Sequence, residues 1–142
     1  MDRVVLDTVV FVRALINPHN RSGRLLSGCA DRYTLLISKP TARELLEVLR
    51  RPELKRKFTT LAHMNIRRVI DLVAQAHFVE IGEVPPIVRD PKDDIIAATA
   101  IAGLADFIVS EDKDLLDLKK VSGIPIINTQ AFLAHLEGLG DE

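Results

Sequence analysis

Short apolar segments typical of buried strands alternate along this chain with segments that carry a helical pattern of apolar residues. The strand-like segments cover residues 4–6, 33–37, 78–81, 107–109 and 123–127. Strands that are each followed by a helix build a parallel sheet with helices on both of its faces. The sequence therefore predicts an α/β fold, a three-layer α/β/α sandwich around a central parallel sheet of about five strands.

The predicted helices begin and end at residues that favour helix ends. Thr41 and Glu44 have the spacing of a capping box at a helix start, and Pro52 stops that helix. Helices are predicted over residues 8–16, 22–30, 41–50, 55–76, 93–103, 114–121 and 129–136. Because no linker divides the chain, we expect a single domain over residues 1–137 and a flexible tail over residues 138–142.

The composition is that of an ordinary globular protein. Hydrophobic residues make up 47% and charged residues 27% of the 142. The single cysteine, Cys29, excludes an internal disulfide and a cysteine-based zinc site. No apolar run approaches the ~20 residues that span a bilayer, and the first residues lack the pattern of a signal peptide. We therefore expect a cytoplasmic protein with no membrane segment.

Acidic residues are concentrated in one part of the chain. Eight of the twenty lie between Asp90 and Asp117, interleaved with the apolar run at residues 95–102. Carboxylates so close to core-forming segments repel each other and lose hydration unless a positive charge compensates them. A divalent cation would provide that charge, so this region is the first candidate for a functional site.

The predicted topology brings these acids together with others from upstream. In an open parallel sheet, ligands bind outside the carboxyl ends of the strands, near the point where the strand order reverses. The candidates that can converge there are Asp7, Glu44, Asp93, Asp94, Glu111 and Asp112, with the hydroxyl of Ser110 beside the last two. Three or four carboxylates at this edge would form an oxygen-rich site suited to Mg²⁺ or Mn²⁺.

Most of these acids also have a structural explanation. An aspartate at a helix start is often an N-cap, which would account for Asp93, Asp94 and Asp112. Glu44 fits the partner of Thr41 in a capping box. Asp7 is the hardest to explain structurally, because it lies directly between a buried strand and an apolar helix.

A basic segment precedes the acidic one. Between Arg50 and Arg68 there is one acid, Glu53, and seven basic residues: Arg50, Arg51, Lys55, Arg56, Lys57, Arg67 and Arg68. These side chains form either a solvated helix face or a strip that binds the phosphates of RNA. Aromatic residues are only 4% and tryptophan is absent, so base stacking is not expected to dominate any nucleic-acid contact.

Four motifs taken together resemble a PIN domain, and in particular the toxin components related to VapC. They are Leu6-Asp7-Thr8, the segment at residues 44–52, Asp90-Pro91-Lys92-Asp93-Asp94 followed by Ala97-Ala98-Thr99-Ala100, and the segment at residues 105–116. The resemblance implies a metal-dependent ribonuclease whose acidic site comprises Asp7, Glu44, Asp93 or Asp94, and Asp112. Thr8 and Ser110 would support that site. By its spacing to the Ala-Ala-Thr-Ala run, Asp93 matches the third acid of the family, and Asp94 is the adjacent candidate.

The resemblance also implies partners: RNA, a cognate antitoxin protein, and a second copy in a homodimer or higher homo-oligomer. The helix at residues 8–16, with Phe11 and Val12, and a helix at residues 61–73 are candidates for such a surface or for core packing.

The chain departs from the family pattern at Val9, where asparagine is usual. Valine cannot supply the hydrogen bonds with which that amide supports the acidic site. Two hypotheses follow: a Mg²⁺- or Mn²⁺-dependent endoribonuclease that is supported by another group, or a catalytically impaired PIN-like module for binding or assembly. A phosphatase or a DNA nuclease with similar acidic chemistry is a third hypothesis.

Overall fold

A central sheet lies between two layers of helices. The computed structural model describes residues 1–58, 71, 73–82 and 91–140. Within them the strands are β1 (Arg3–Leu6), β2 (Thr34–Ser38), β3 (His77–Val79), β4 (Phe107–Val109), β5 (Lys120–Val121) and β6 (Ile124–Ile127). The α-helices are α1 (Thr8–Ile16), α2 (Arg21–Gly23), α3 (Lys39–Leu49), α4 (Pro52–Lys57), α5 (Pro91–Ala102), α6 (Lys113–Leu118) and α7 (Thr129–Gly140). This arrangement confirms the predicted α/β sandwich.

The order of the strands defines where a ligand can bind. It is β3-β2-β1-β4-β6-β5, and every neighbouring pair is parallel except β5 and β6. The chain builds β2 and β3 on one side of β1 and then returns to the other side for β4. The strand order therefore reverses between β1 and β4, and a crevice is expected outside their carboxyl ends. Asp7 and Ser110 are the residues that directly follow these two strands.

The sheet has one strand more than the five predicted. The sequence pattern predicts a helix over residues 114–121, but α6 ends at Leu118 because Lys119 has a positive φ of 63°. The chain then forms β5, which pairs antiparallel with β6. The turn between them contains Ser122 and Gly123, with φ of 48° and 81°. Positive φ at both positions is what a two-residue hairpin turn requires to follow the twist of its strands.

The start of α3 differs from the predicted capping box. Ser38 is the N-cap, and its backbone N–H donates to Oγ1 of Thr41 at 2.9 Å. The capping partners are therefore Ser38 and Thr41, and the prediction that Thr41 and Glu44 form the box is wrong. Glu44 lies one turn further along the helix, so capping does not account for it.

Other helices also begin or end at residues that differ from the prediction. The predicted helix over residues 22–30 is the short α2 followed by a π-helical turn, Arg24–Gly28. Helix α7 extends to Gly140, so it includes the first residues of the predicted tail. Most of the helix predicted over residues 55–76, the loop predicted over residues 84–87, and both Arg67 and Arg68 lie outside the described residues.

Two apolar cores cover the two faces of the sheet. Val4 and Leu6 of β1 pack in one of them, together with α1 and Phe132 of α7. Val5, between them, packs in the other with Ala97 of α5. This alternation is the two-residue period of a strand that is buried on both faces. None of the described helices is both long and apolar enough to cross a lipid bilayer.

Candidate active site

A cavity of about 600 Å³ lies at the crevice outside β1 and β4. We call it the acidic cavity, because its lining includes four predicted carboxylates: Asp7, Glu44, Asp93 and Asp112. Its other described lining residues are Thr8, Val9, Val12, Arg13, Ile16, Val48, Arg51, Glu53, Leu54, Phe58 and Ile96. The fold therefore brings to one cavity four acids that are spread over more than a hundred residues of sequence.

Ser110 connects two of these acids. The side chain of Ser110 is fully buried, and its Oγ donates a hydrogen bond to Oδ2 of Asp7. The same Oγ accepts the backbone N–H of Asp112 at 2.9 Å. A single hydroxyl thus fixes the end of β1 relative to the segment that follows β4, and it sets the spacing between the two acids.

Asp7 and Asp112 are also helix N-caps. Oδ1 of Asp7 accepts the backbone N–H of Val10 at 3.1 Å, and Oδ2 of Asp112 accepts that of Leu115 at 3.4 Å. The N-cap role predicted for Asp112 is therefore observed, and Asp7 caps a helix as well. Capping does not remove either residue from the cavity, since both still line it.

The environment of Asp7 disfavours its ionised form. The residue is only 4% exposed, and this burial raises the pKa of its carboxyl above the ordinary value of 3.8. The negative charge of Asp112 raises the pKa further, whereas hydrogen bonds from Ser110 and from the backbone of Val10 and Val9 lower it. An ionised Asp7 is therefore costly unless a cation lies nearby.

Asp93 and Asp94 occupy different environments although they are adjacent. Asp93 lines the acidic cavity together with Ile96, which lies three residues further along the same face of α5. Asp94 is 7% exposed and is not among the described lining residues. Of the two, Asp93 is the one that lines the cavity, and its role as the third acid stays a prediction.

The predicted basic strip is only partly at the cavity. Arg51 lines it and also lies 3.5 Å from Glu47, one turn earlier. The strip's other described members are exposed and do not line the cavity: Arg50, Lys55, Arg56 and Lys57. These four residues fit both of the predicted roles, a solvated face and a surface that guides a phosphate backbone.

Sequence reasoning missed the wall formed by α1 and Phe58. Val9, Val12, Arg13 and Ile16 all line the cavity, and their spacing is that of one helix face. That periodicity was visible in the sequence, but an apolar helix face is more often core than cavity wall. Val9, the residue that departs from the family pattern, is 41% exposed and lines the cavity.

The lining fits a divalent cation in its chemistry. Carboxylate oxygens are the ligands that Mg²⁺ and Mn²⁺ prefer, and the four predicted carboxylates line one cavity together with Glu53. Their spacing is wider than in an assembled centre: among the described residues, no three His, Cys, Asp or Glu side chains are close enough together to hold a metal ion.

The fold and the cavity define an α/β protein with an acidic site at the switch point of its sheet. A family model described as PIN domain matches residues 3–114, and the chain belongs to the PIN domain family. Members of that family are generally nucleases that use divalent metal ions. None of the curated proteins matches the chain significantly in sequence.

Two solved structures resemble the chain over most of its length. The crystal structure of VapBC2 from Rickettsia felis, bound to a DNA fragment from their promoter, matches with a TM-score of 0.61 and 18% identity, covering 89% of this chain and 98% of that one. PAE2754 from Pyrobaculum aerophilum matches with a TM-score of 0.58 and 16% identity, covering 96% of this chain and 90% of that one. At such identities the likeness establishes the fold.

Proposed function

We propose that the protein is a Mg²⁺- or Mn²⁺-dependent endoribonuclease and the toxin of a toxin–antitoxin pair. The observation that carries this proposal is the convergence of Asp7, Glu44, Asp93 and Asp112 on one cavity at the switch point. The PIN family supports the coarser assignment to a nuclease.

In this proposal Asp7, Asp93 and Asp112 hold the cation, and Ser110 keeps Asp7 and Asp112 at a fixed spacing. When bound, Mg²⁺ or Mn²⁺ supplies positive charge that compensates the carboxylates and stabilises the leaving oxygen of a phosphodiester. Glu44 accepts the proton of the attacking water.

The basic residues would position the strand. Arg51 on the cavity wall suits a phosphate oxygen because its guanidinium can bind two oxygens at once. The exposed Arg50, Lys55, Arg56 and Lys57 lie on or beside α4 and would hold the backbone near the cavity. The same role for Arg67 and Arg68 stays a prediction, since neither lies in the described part of the chain.

The test is cleavage of a single-stranded RNA with Mn²⁺ present, compared with a reaction in excess chelator. Asp7→Asn keeps a residue that caps helices well but removes the charge, so it should abolish cleavage. Asp31→Asn, an exposed site outside the cavity, is the matched control and should cut like the wild type. Equal cutting by wild type and Asp7→Asn would mean a contaminating nuclease. Faster cutting of a DNA strand of the same sequence would favour a DNA nuclease.

The second candidate is a catalytically impaired binding or assembly module, and Val9 is the observation that favours it. Its side chain contacts the cavity where the usual asparagine would donate hydrogen bonds. The hydroxyl of Ser110 donates to Asp7 and can replace part of that support, which favours the enzyme.

A melting curve with Mn²⁺ separates the two candidates. At a hundred times its dissociation constant, a bound ion adds about 2.7 kcal/mol of stability. For a chain of 142 residues this corresponds to a rise of about 9 °C in Tm, whereas an inert module would show no shift.

The proposed partners are RNA, a cognate antitoxin and a second copy of the chain. Phe11 and Val12 of α1 pack in the core, so they are poor candidates for a docking surface. The helix proposed at residues 61–73 lies largely outside the described residues. Homodimerisation and a cytoplasmic location stay predictions, and the gene next to this one is the simplest check of the toxin role.

A further inference from the structure

A second cavity, of about 400 Å³, adjoins the acidic cavity and has the opposite charge. Arg13 lines both cavities, so the two lie on either side of one side chain. Arg21 and Arg24 contribute two more guanidinium groups, and Glu111 is the one acidic residue among the described lining. We call this second site the basic cavity.

The charges of the basic cavity are only partly neutralised. Arg13 lies 3.9 Å from Glu111 and its side chain is 54% exposed, so this ion pair is weak. Arg24 pairs with Glu137 at 3.1 Å, also at the surface. No described acidic side chain forms an ion pair with Arg21. The cavity therefore keeps positive charge that an anion can use.

The frame of the basic cavity is fixed before any ligand arrives. The side chain of Asn20 accepts the N–H of Gly23 at 2.8 Å and donates to the carbonyl of Arg13 at 3.0 Å. A Cβ at Gly23 would lie 2.3 Å from the carbonyl carbon and oxygen of Pro18, so the backbone is packed directly against itself there. Arg21 lies between these two anchors. The position of its backbone is therefore defined by the fold.

The arginines in and beside the acidic cavity come from two different parts of the fold. Arg51 comes from the junction of α3 and α4, whereas Arg13, Arg21 and Arg24 come from α1 and the helical segment that follows it. A polyanion held only by α4 would meet the carboxylates at one end of its bound segment. A second basic surface next to Arg13 provides a place for the backbone on leaving the acidic cavity.

We propose that the basic cavity is a phosphate-binding subsite for the single-stranded RNA, holding backbone phosphates next to the one that is cleaved. This proposal rests on the ribonuclease function proposed above, because it concerns the strand that the acidic cavity would cut. Arg21 is the main contact, Arg13 lines both cavities, and Thr129 holds Glu111, the one described acid of the basic cavity, by two hydrogen bonds. The N–H of Thr129 donates to Oε1 of Glu111 at 3.0 Å, and its hydroxyl donates to the same oxygen.

The experiment measures binding without cleavage. A fluorescently labelled single-stranded RNA is titrated in chelator, and its affinity is followed by anisotropy over a range of salt concentrations. Arg21→Gln removes one charge at the basic cavity. Lys120→Gln removes one charge from an exposed lysine of β5, which lines neither cavity. Arg21→Lys keeps the charge and tests whether charge or folding is responsible.

For one lost phosphate contact, the slope of log affinity against log salt should become shallower by about 0.7. The affinity advantage of the wild type over Arg21→Gln should then shrink by about 2.6-fold across a fourfold rise in salt. Arg21→Lys should keep the wild-type slope, and so should Lys120→Gln. Equal slopes for Arg21→Gln and Lys120→Gln would overturn the proposal. So would an effect seen only with a DNA strand of the same sequence, or a loss in Arg21→Lys as large as in Arg21→Gln.

Cleavage with Mn²⁺, measured separately, distinguishes this proposal from the proposed function. If wild type fails to cut RNA but Arg21→Gln still changes the slope, the subsite stands and the nuclease proposal fails. If wild type cuts RNA and Arg21→Gln leaves the slope unchanged, the nuclease stands and the subsite fails.

Discussion

Replacing Ser110 with alanine should reveal how the acidic cavity is held together. The hydroxyl of Ser110 makes two buried contacts, one to the carboxylate of Asp7 and one from the backbone N–H of Asp112. A hydrogen bond to a charged group contributes about 1.5–3 kcal/mol and a neutral one about 1 kcal/mol. We therefore expect Ser110→Ala to lose about 3 kcal/mol at neutral pH. For 142 residues this is a fall of about 10 °C in Tm.

The stability lost in Ser110→Ala should depend on pH, because one partner of the Ser110 hydroxyl is the ionisable carboxyl of Asp7. Burial raises its pKa above 3.8, the ordinary value that applies in the unfolded chain. The stability associated with protonated Asp7 is therefore complete below about 3.8 and is lost as the pH rises through the folded-state pKa. Ser110 opposes this loss by stabilising the ionised form. Ser110→Ala should consequently lose only about 2 kcal/mol at low pH, where Asp7 is neutral and both contacts are neutral hydrogen bonds, and it should lose most above the pKa of Asp7.

The assay is urea unfolding of both proteins in chelator at several pH values between about 4 and 8. Ser38→Ala is the matched control, since Ser38 is also fully buried but its hydroxyl contacts the hydroxyls of Thr41 and Thr99, at 3.1 and 2.7 Å. The stability lost in Ser38→Ala should not change with pH, because both partners of the Ser38 hydroxyl are uncharged hydroxyls. A pH-independent loss for Ser110→Ala, parallel to that of Ser38→Ala, would refute the role assigned to Ser110.

Three further predictions test other parts of the structure. Asp93→Asn should lower the cleavage rate at saturating RNA far more than Asp94→Asn, because only Asp93 lines the cavity; the reverse order in a single-turnover assay would exchange their roles. Val9→Asn should raise RNA cleavage with Mn²⁺ if the missing amide limits the site, and an unchanged rate would show that Ser110 already gives sufficient support. Gly23→Ala should lower Tm by about 3–10 °C through overpacking of about 1–3 kcal/mol, because its Cβ would meet the Pro18 carbonyl at 2.3 Å. In Gly138→Ala nothing lies within 4 Å of the new Cβ, so the same assay should show no loss.

The sequence predicted the positions of the candidate acids best where the end of a single strand decides them. Asp7 follows a buried strand directly, and Asp112 lies just past another, so the end of each strand fixed their places at one edge of the sheet. The start of α3 was harder, since both Ser38 and Thr41 are good caps and only the backbone geometry shows which one begins the helix. The short strand β5 was missed because two residues carry too little pattern to be distinguished from the end of a helix.

The sequence by itself determined the alternation of strands and helices, and hence the parallel sheet and the edge at which acids can meet. Local periodicity is sufficient for this, because it states which face of each element is apolar. The tertiary structure decided which faces meet: that Asp93 rather than Asp94 reaches the cavity, that Ser110 connects Asp7 to Asp112, and that Arg13 lies between two cavities of opposite charge. These are contacts between segments far apart in sequence, and they follow from the order of the strands, which periodicity alone does not specify.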